Sequence, residues 1–258
     1  FLLTFWFTKE RVKPKKNKTT SGAPLLKDIK LLLTNRAWIV LFFIGLFTIT
    51  WVAIRLMSTI YYFKYYVQDE TQFGIFMMAG NVAMVAGSFA AGFFTKLLGK
   101  KKLYIYFMII QSLLLGAFYF VGPNQFVLMY SLHIVSAFLS GPTNPLLFSM
   151  YADSADSIEY NSGRRIDGLV FSAASVAQKM GWAIGGALSA WILVWVNYVP
   201  NEIQSEETLF GIRTMMRIIP ATGCLLTVLS LFFYNLDDEK VKSIESALQK
   251  RRGNASNE

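Results

Sequence analysis

Apolar residues run along this chain in long blocks, each closed by a short polar or charged break. A bilayer core is about 30 Å thick and takes about 20 predominantly apolar residues as a helix. Six blocks meet that length: 37–62, 73–98, 103–121, 126–151, 168–196 and 209–234. Their apolar character is continuous rather than alternating, which predicts helices and not the strands of a membrane barrel. Gly122-Pro123-Asn124-Gln125 reads as a reversal between antiparallel neighbours, and Gly99-Lys100-Lys101-Lys102 as a tight basic loop. The opening run, residues 1–7, has no basic leading region and no small-residue cleavage site, so it reads as the end of a preceding transmembrane helix rather than a signal peptide. Residues 8–36 have the basic, Pro- and Ser/Thr-containing make-up of a cytoplasmic linker between bundles. Residues 37–236 are then a six-helix transmembrane bundle, and 237–258 a cytoplasmic tail. In that tail Val241, Ile244, Ala247 and Leu248 fall at helical spacing, either as a short amphipathic helix at the inner surface or as a frayed end.

Composition narrows the class. Of 258 residues, 54% are hydrophobic and 16% charged, against roughly 25% charged in an ordinary soluble domain. The single cysteine, Cys224, cannot form an internal disulfide and reads as a small core residue. The single histidine, His133, leaves little room for metal clusters or catalytic triads, so neither an enzyme nor a cofactor is expected. The net charge of +9 reads as topology rather than a nucleic-acid surface. Lys and Arg gather in the linker (Lys9 to Arg36), at Lys96 and Lys100–Lys102, at Arg164 and Arg165, and in the tail (Lys240 to Arg252), which alternation places on one side. That side is cytoplasmic by the positive-inside rule and faces anionic lipid.

Ionisable groups within the blocks are the candidates for function, since each costs at least ~2.5–3.5 kcal/mol at a helix centre. Lys179 lies at least 11 residues from either end of the fifth block. On a helical wheel Ala173, Ala177, Gly181, Gly185 and Ser189 form a small-residue packing stripe, and Lys179 lies roughly opposite with Gly168, Ser172, Ser175, Ala183 and Gly186. That second face suits a water-filled cavity; the alternative is a structural lysine paired with an acid on a neighbouring helix. Arg55 either lines the cavity or snorkels to the outer boundary. Asn81 is a candidate for interhelical bonding, and Ala83, Gly87 and Ala91 for packing. Ser140-Gly141-Pro142-Thr143-Asn144-Pro145 breaks the fourth block, either as a passive kink or as the kind of mid-membrane break at which transporters bind substrates. His133, about two turns earlier, reads as helix packing before proton relay.

After the fourth block comes an acid-rich connection with Asp153, Asp156, Glu159, Arg165 and Asp167. The run Ala152-Asp153, Asp156, Glu159, Arg165, Asp167, then Gln178-Lys179-Met180-Gly181, then Tyr198-Val199-Pro200-Asn201, with Tyr61-Tyr62-Phe63-Lys64-Tyr65 after the first block, resembles the glycoside–pentoside–hexuronide cation symporters. These are the melibiose-carrier branch of the major facilitator superfamily. The resemblance covers the whole chain and corresponds to the carboxyl six helices of a twelve-helix fold. Three departures stand out: Ser157-Ile158 replaces the family's Tyr-Gly, Asn197 replaces a Gly, and Asn144 stands where melibiose carriers have a sugar-site Trp. The last argues against melibiose as the substrate.

The resemblance implies an all-α membrane protein carrying out Na⁺- or H⁺-coupled sugar symport by alternating access, in a bacterial inner membrane. Its partners would be a sugar or glycoside, the coupling cation, the bilayer and an amino-terminal six-helix half that holds the cation-binding carboxylates. Lys179 would couple cation and sugar, with Gln178, Asn144, Ser175, Ser172 and Arg55 as further substrate and coupling candidates. Asp153, Asp156, Glu159, Arg165 and Asp167 would form the inner gate. A symporter of a lysolipid on the same scaffold is the main alternative; an intramembrane enzyme and a passive channel fit less well.

Overall fold

The computed structural model describes Trp6 and residues 25–254, without the side chains of residues 253 and 254. The expected helix end at 1–7, Trp6 apart, and the linker as far as residue 24 lie outside the described residues. The remainder of that linker is not an irregular tether. Leu25–Thr34 forms helix α1, with Asp28 in its first turn and Leu32 buried; Leu25, Ile29 and Leu32 are at helical spacing with no Gly or Pro between them.

Helix α2 (Arg36–Tyr61) begins at Asn35, whose side-chain oxygen accepts from the Trp38 amide at 2.9 Å. It runs on as a π-helical turn, Tyr62–Val67, which ends at Gln68 with φ 60°. Asp69 then takes the Thr71 amide at 3.0 Å at the head of α3 (Thr71–Leu98). The Thr71 hydroxyl beside Asp69 holds its carboxyl below the usual carboxylate range. Gly99, at φ 77°, is the whole connection to α4 (Lys100–Ala117). The three lysines expected in a loop are instead the first helical turn, and an Asp238 oxygen accepts from the Lys100 amide at 3.2 Å. A 3-10 turn, Phe118–Phe120, completes that span.

The fourth block divides into α5 (Phe126–Ser140) and α6 (Thr143–Ser162) at Gly141-Pro142. The acid-rich segment expected as a loop from 152 to 165 is helical as far as Ser162; charge lets a helix emerge from lipid without ending it. Helix α7 (Asp167–Trp195) follows, then α8 (Glu206–Met216), a break at Arg217, α9 (Ile218–Phe232) and a tail helix α10 (Asp238–Asn254).

Five of these units are long and apolar enough to cross a membrane: α2 with its π turn, α3, α4 with its 3-10 turn, α5–α6 and α8–α9. The sixth expected span, α7, has 29 residues but falls short in apolarity because Gln178, Lys179 and several glycines interrupt it. It nevertheless lies along α2, while α3 pairs with α5, and α9 fills the angle between α2 and α4. Large apolar side chains point outward, among them Phe89, Val127 and Trp195, each more than four-fifths exposed. A surface of that kind belongs against hydrocarbon.

Helices gain little from hydrophobic burial when the solvent is itself apolar, so close backbone contact has to hold them together. The α7 stripe supplies it: Ala177, Gly181, Gly185 and Ser189 are buried, and a Cβ on Gly181 or Gly185 would strike Ile49 and the Thr50 carbonyl region of α2. On α3, Ala83, Gly87 and Ala91 are likewise buried, and Gly87 lies against the Phe138 carbonyl of α5. Two apolar cores result. One, at the basic end, runs from Leu32 through Trp51 to Leu248; the other, at the opposite end, gathers Ile54, Tyr62, Phe76 and Met216. Val241, Ile244 and Leu248 of the tail helix belong to the first core. Its apolar face is thus closed against the bundle, chiefly α6, and not left for lipid as the sequence pattern suggested.

Candidate functional site

Along α2 the first core ends at Trp51 and the second begins at Ile54. Where they part, a cavity of about 360 Å³ opens between α2, α3, α4, α5, α6 and α7. Its polar lining comes from five elements: Thr48, Arg55 and Thr59 of α2, Asn81 of α3, Gln111 of α4, His133 of α5, and Thr143 and Asn144 of α6. The break between α5 and α6 brings Thr143 and Asn144 there. Pro142 and Pro145 cannot donate to the turn before them, and the exposed carbonyls are taken by side chains: Ser88 donates to Gly141 O at 3.0 Å and Thr143 to Ser140 O at 2.6 Å. The kink is therefore closed by hydrogen bonds and shapes the cavity wall.

Arg55 lines this cavity. Its Nη2 lies 3.2 Å from His133 Nδ1. His133 is buried, bonds Phe76 O through Nε2 at 3.0 Å, and stacks on the Phe76 ring with centroids 3.6 Å apart. Gly80 leaves the room for that ring, since a Cβ there would meet the imidazole.

Lys179 and its neighbours occupy a different place. Ser172, Ser175 and Lys179 are exposed on the face of α7 opposite the packing stripe, and Gln178 is half-buried. The packing stripe of α7 is thus buried and its opposite face open. Ser172 and Ser175 donate to Leu169 O and Phe171 O of their own helix. Lys179 has no ion pair among the described residues, and it does not line the cavity, although Trp182 one turn on does. Of the expected substrate residues, the structure thus brings Arg55 and Asn144 into one cavity and leaves Gln178, Lys179, Ser172 and Ser175 on the adjoining face.

The expected gate residues also separate. Asp153 is buried and holds Lys100 Nζ through both oxygens at 2.7 Å. Glu159 pairs with Arg252 of the tail at 2.7 Å, and Asp156 stands 3.9 Å from the same guanidinium. Arg165 pairs locally with Asp167 at 2.6 Å, and Arg164 reaches Asp28 of α1 at 2.7 Å. The three acids of α6 thus bind the α3–α4 corner and the tail helix rather than Arg165.

At the opposite end, the two outer motifs meet. Tyr65 and Tyr198 hydroxyls are 2.9 Å apart, Tyr65 Oη accepts from the Asn201 amide at 2.9 Å, and Lys64 Nζ donates to Asn201 Oδ1 at 2.8 Å. Arg217, not singled out in the sequence, is wholly buried at the α8–α9 break. It donates to Tyr119 O at 2.9 Å, to Val121 O at 3.1 Å and to the Tyr62 hydroxyl, beneath the rings of Tyr62, Tyr66 and Phe118. Its depth within the 209–234 block was the available signal.

Helices long enough to span, an apolar exterior and a polar cavity beside a broken helix define a multi-pass helical membrane protein. The chain belongs to the family described as MFS/sugar transport protein, whose model matches residues 1–238. An Escherichia coli K12 protein provisionally named glycoside/cation symporter YagG is 32% identical over 96% of this chain and 54% of its own. The isoprimeverose transporter of Lactiplantibacillus pentosus is 29% identical over 97% of this chain and 52% of its own. An E. coli K12 protein provisionally named a 2,3-dihydroxypropane-1-sulfonate exporter is 27% identical over 98% of this chain and 56% of its own. The chain spans about half the length of these relatives.

Proposed function

We propose that the whole protein is a cation-coupled sugar or glycoside symporter that works by alternating access, and that this chain supplies one of its two bundles and half of its substrate site. The observation that carries the reading is the polar cavity beside the α5–α6 break in a chain of the sugar-transport family. Broken helices at mid-membrane free polar groups for a substrate while the surrounding bundle satisfies the rest. Relatives named for a glycoside/cation symporter and an isoprimeverose transporter support a sugar as cargo. The relative named for a sulfonate exporter favours a second reading, transport of a small organic anion.

In this account Lys179 is the coupling residue. Its ammonium stands on an open helix face with no carboxylate partner among the described residues, so the amino-terminal half and its bound Na⁺ or H⁺ can act on it. By linkage, a cation that raises sugar affinity is itself held more tightly by the same factor once sugar is bound. Asp153, Asp156 and Glu159, with Lys100 and Arg252, form the bundle's side of the inner gate. The basic end faces the cytoplasm of a bacterial inner membrane, as the positive-inside rule requires. The bilayer and the coupling cation complete the partners, and this bundle alone does not transport.

The test is accumulation of radiolabelled glycoside in right-side-out vesicles carrying the full-length protein. Uptake against the sugar gradient when Na⁺ or H⁺ is imposed inward, and its collapse with an ionophore, is the expected result. Equilibration without accumulation under either gradient would reject symport.

A further inference from the structure

A second cavity, of about 350 Å³, lies at the basic end of the bundle. Four stretches of chain enclose it: the α1–α2 junction, the last turns of α6, the segment between α9 and α10, and the tail helix α10. It shares no residue with the substrate cavity or with the gate pairs.

Its lining is basic and polar. Arg36 and Lys240 both line it, and none of its lining residues is acidic. Neither cation has an ion pair among the described residues. Arg36 donates through Nε to Phe233 O at 3.2 Å, and Lys240 Nζ reaches Asn235 O at 3.5 Å. The acids close by in sequence are taken up elsewhere. Asp237 pairs with Lys101 at 3.5 Å, an Asp238 oxygen accepts from the Lys100 amide at 3.2 Å, and Glu159 holds Arg252 at 2.7 Å. Glu239, next to Lys240, is exposed and does not line the cavity. The cavity also lies on the first turn of α2, the positive end of a 26-residue helix.

Ser157 is an independent sign of a ligand. It lines the cavity and is only 5% exposed. Its carbonyl accepts from Asn161 at 2.9 Å, but its hydroxyl has no partner among the described residues. Buried polar groups are normally paired. The family pattern has a tyrosine at this position, and that ring would fill space which the serine leaves open. Beside the cavity, Phe232 and Phe233 at the end of α9 are exposed as lipid-facing side chains are, which puts the cavity at headgroup depth.

Two cations, a helix's positive end and a free buried hydroxyl match a tetrahedral oxyanion. We propose that this cavity binds a phosphate ester, with Arg36 and Lys240 on the phosphate charge and Ser157 donating to one of its oxygens. The volume falls in the ~300–1,000 Å³ range of small-molecule sites, which leaves room for a body such as glycerol beside the phosphate. A phosphate held there joins α10 to the start of α2 and to α6. The ester is a soluble metabolite or the headgroup of an anionic phospholipid; the recognising chemistry is the same. The proposal stands independently of the cargo.

The test is equilibrium binding to the delipidated full-length protein in a nonionic detergent. A soluble arm compares sn-glycerol 3-phosphate with glycerol, and a lipid arm compares dioctanoyl phosphatidylglycerol with dioctanoylglycerol. In at least one arm the phosphate-bearing probe should bind about tenfold or more tightly than its phosphate-free partner, the worth of a charge-assisted hydrogen bond. The arm that responds names the source. Arg36→Gln with Lys240→Gln should remove that preference; both side chains are exposed, so the fold should tolerate the change. Ser157→Ala should weaken the phosphate probe several-fold, and Ser157→Tyr should exclude it. Each variant is first shown to elute as a single species, and should the tyrosine variant misfold, the other two carry the test. Equal binding of the two probes within both arms would overturn the proposal. So would a phosphate preference that survives the double Gln variant, because the phosphate would then sit elsewhere.

Discussion

Two cations at depth have opposite duties. Lys179 stands open on α7 and is the residue proposed for coupling, whereas Arg217 is enclosed and ties the α8–α9 break to the ends of α2 and α4. Lys179→Cys in the full-length protein should therefore abolish cation-driven accumulation while the protein still reaches the membrane in normal amount. Accumulation at the wild-type level would remove Lys179 from the coupling path. Arg217→Ala should strip donors from the Tyr119 and Val121 carbonyls and the Tyr62 hydroxyl. Buried polar groups left unpaired cost roughly 1–3 kcal/mol each, so thermal unfolding of the purified protein should shift down by several degrees; an unchanged midpoint would mean water replaces the guanidinium. The two residues also differ in legibility. Lys179 was readable because a central cation among small residues shows on a helical wheel. Arg217 was not, because its carbonyl partners Tyr119 and Val121 come from another span and backbone acceptors leave no mark in a sequence.

Element boundaries followed the same division between local and distant causes. The α7 packing stripe was visible as small residues at every fourth position, and the structure puts those residues against α2. Gly185→Leu should wedge α7 away from Ala53 and the Thr50 carbonyl, an overpacking of the kind that costs about 1–3 kcal/mol. Gel filtration in detergent should then show aggregated or low-yield protein, with Gly185→Ala milder; a monodisperse Leu variant of normal yield would contradict the contact. What was hidden lay at the ends. The helical extension of α6 to Ser162 looked like a loop because Asp153, Asp156 and Glu159 are acidic, yet their partners Lys100 and Arg252 are supplied by other elements. The lysines of α4 and the helix α1 were disguised in the same way by charge.

At the scale of the molecule, the basic end is bound together by ion pairs that cross elements, and the tail helix is part of that arrangement. Arg252 to Glu159 and the burial of Val241, Ile244 and Leu248 fix α10 on α6. Exposed pairs contribute only ~0–1 kcal/mol each, whereas Asp153 is buried against Lys100 and should matter more. Asp153→Asn with Asp156→Asn should loosen the inner end and raise the inward-open population, read by crosslinking across the two bundles at that end. Crosslinking unchanged from wild type would exclude a gate there. The polar cavity was legible in part: the Pro-Gly break and Arg55 pointed to it, but the meeting of Arg55 with His133 and Gln111 depends on how three spans pack.

Alternating access to the cavity is the central claim, and cysteine labelling measures it directly. In the full-length protein with Cys224→Ala, and with any cysteine outside this chain also replaced, Asn144→Cys introduces a single thiol at the cavity wall. Membrane-impermeant maleimide is applied from each face of oriented vesicles, with and without sugar and cation gradients. The account predicts reaction from either face, with substrate and cation shifting the ratio between faces and bound sugar protecting the thiol. Reaction confined to one face under every condition, or no reaction from either, would contradict it.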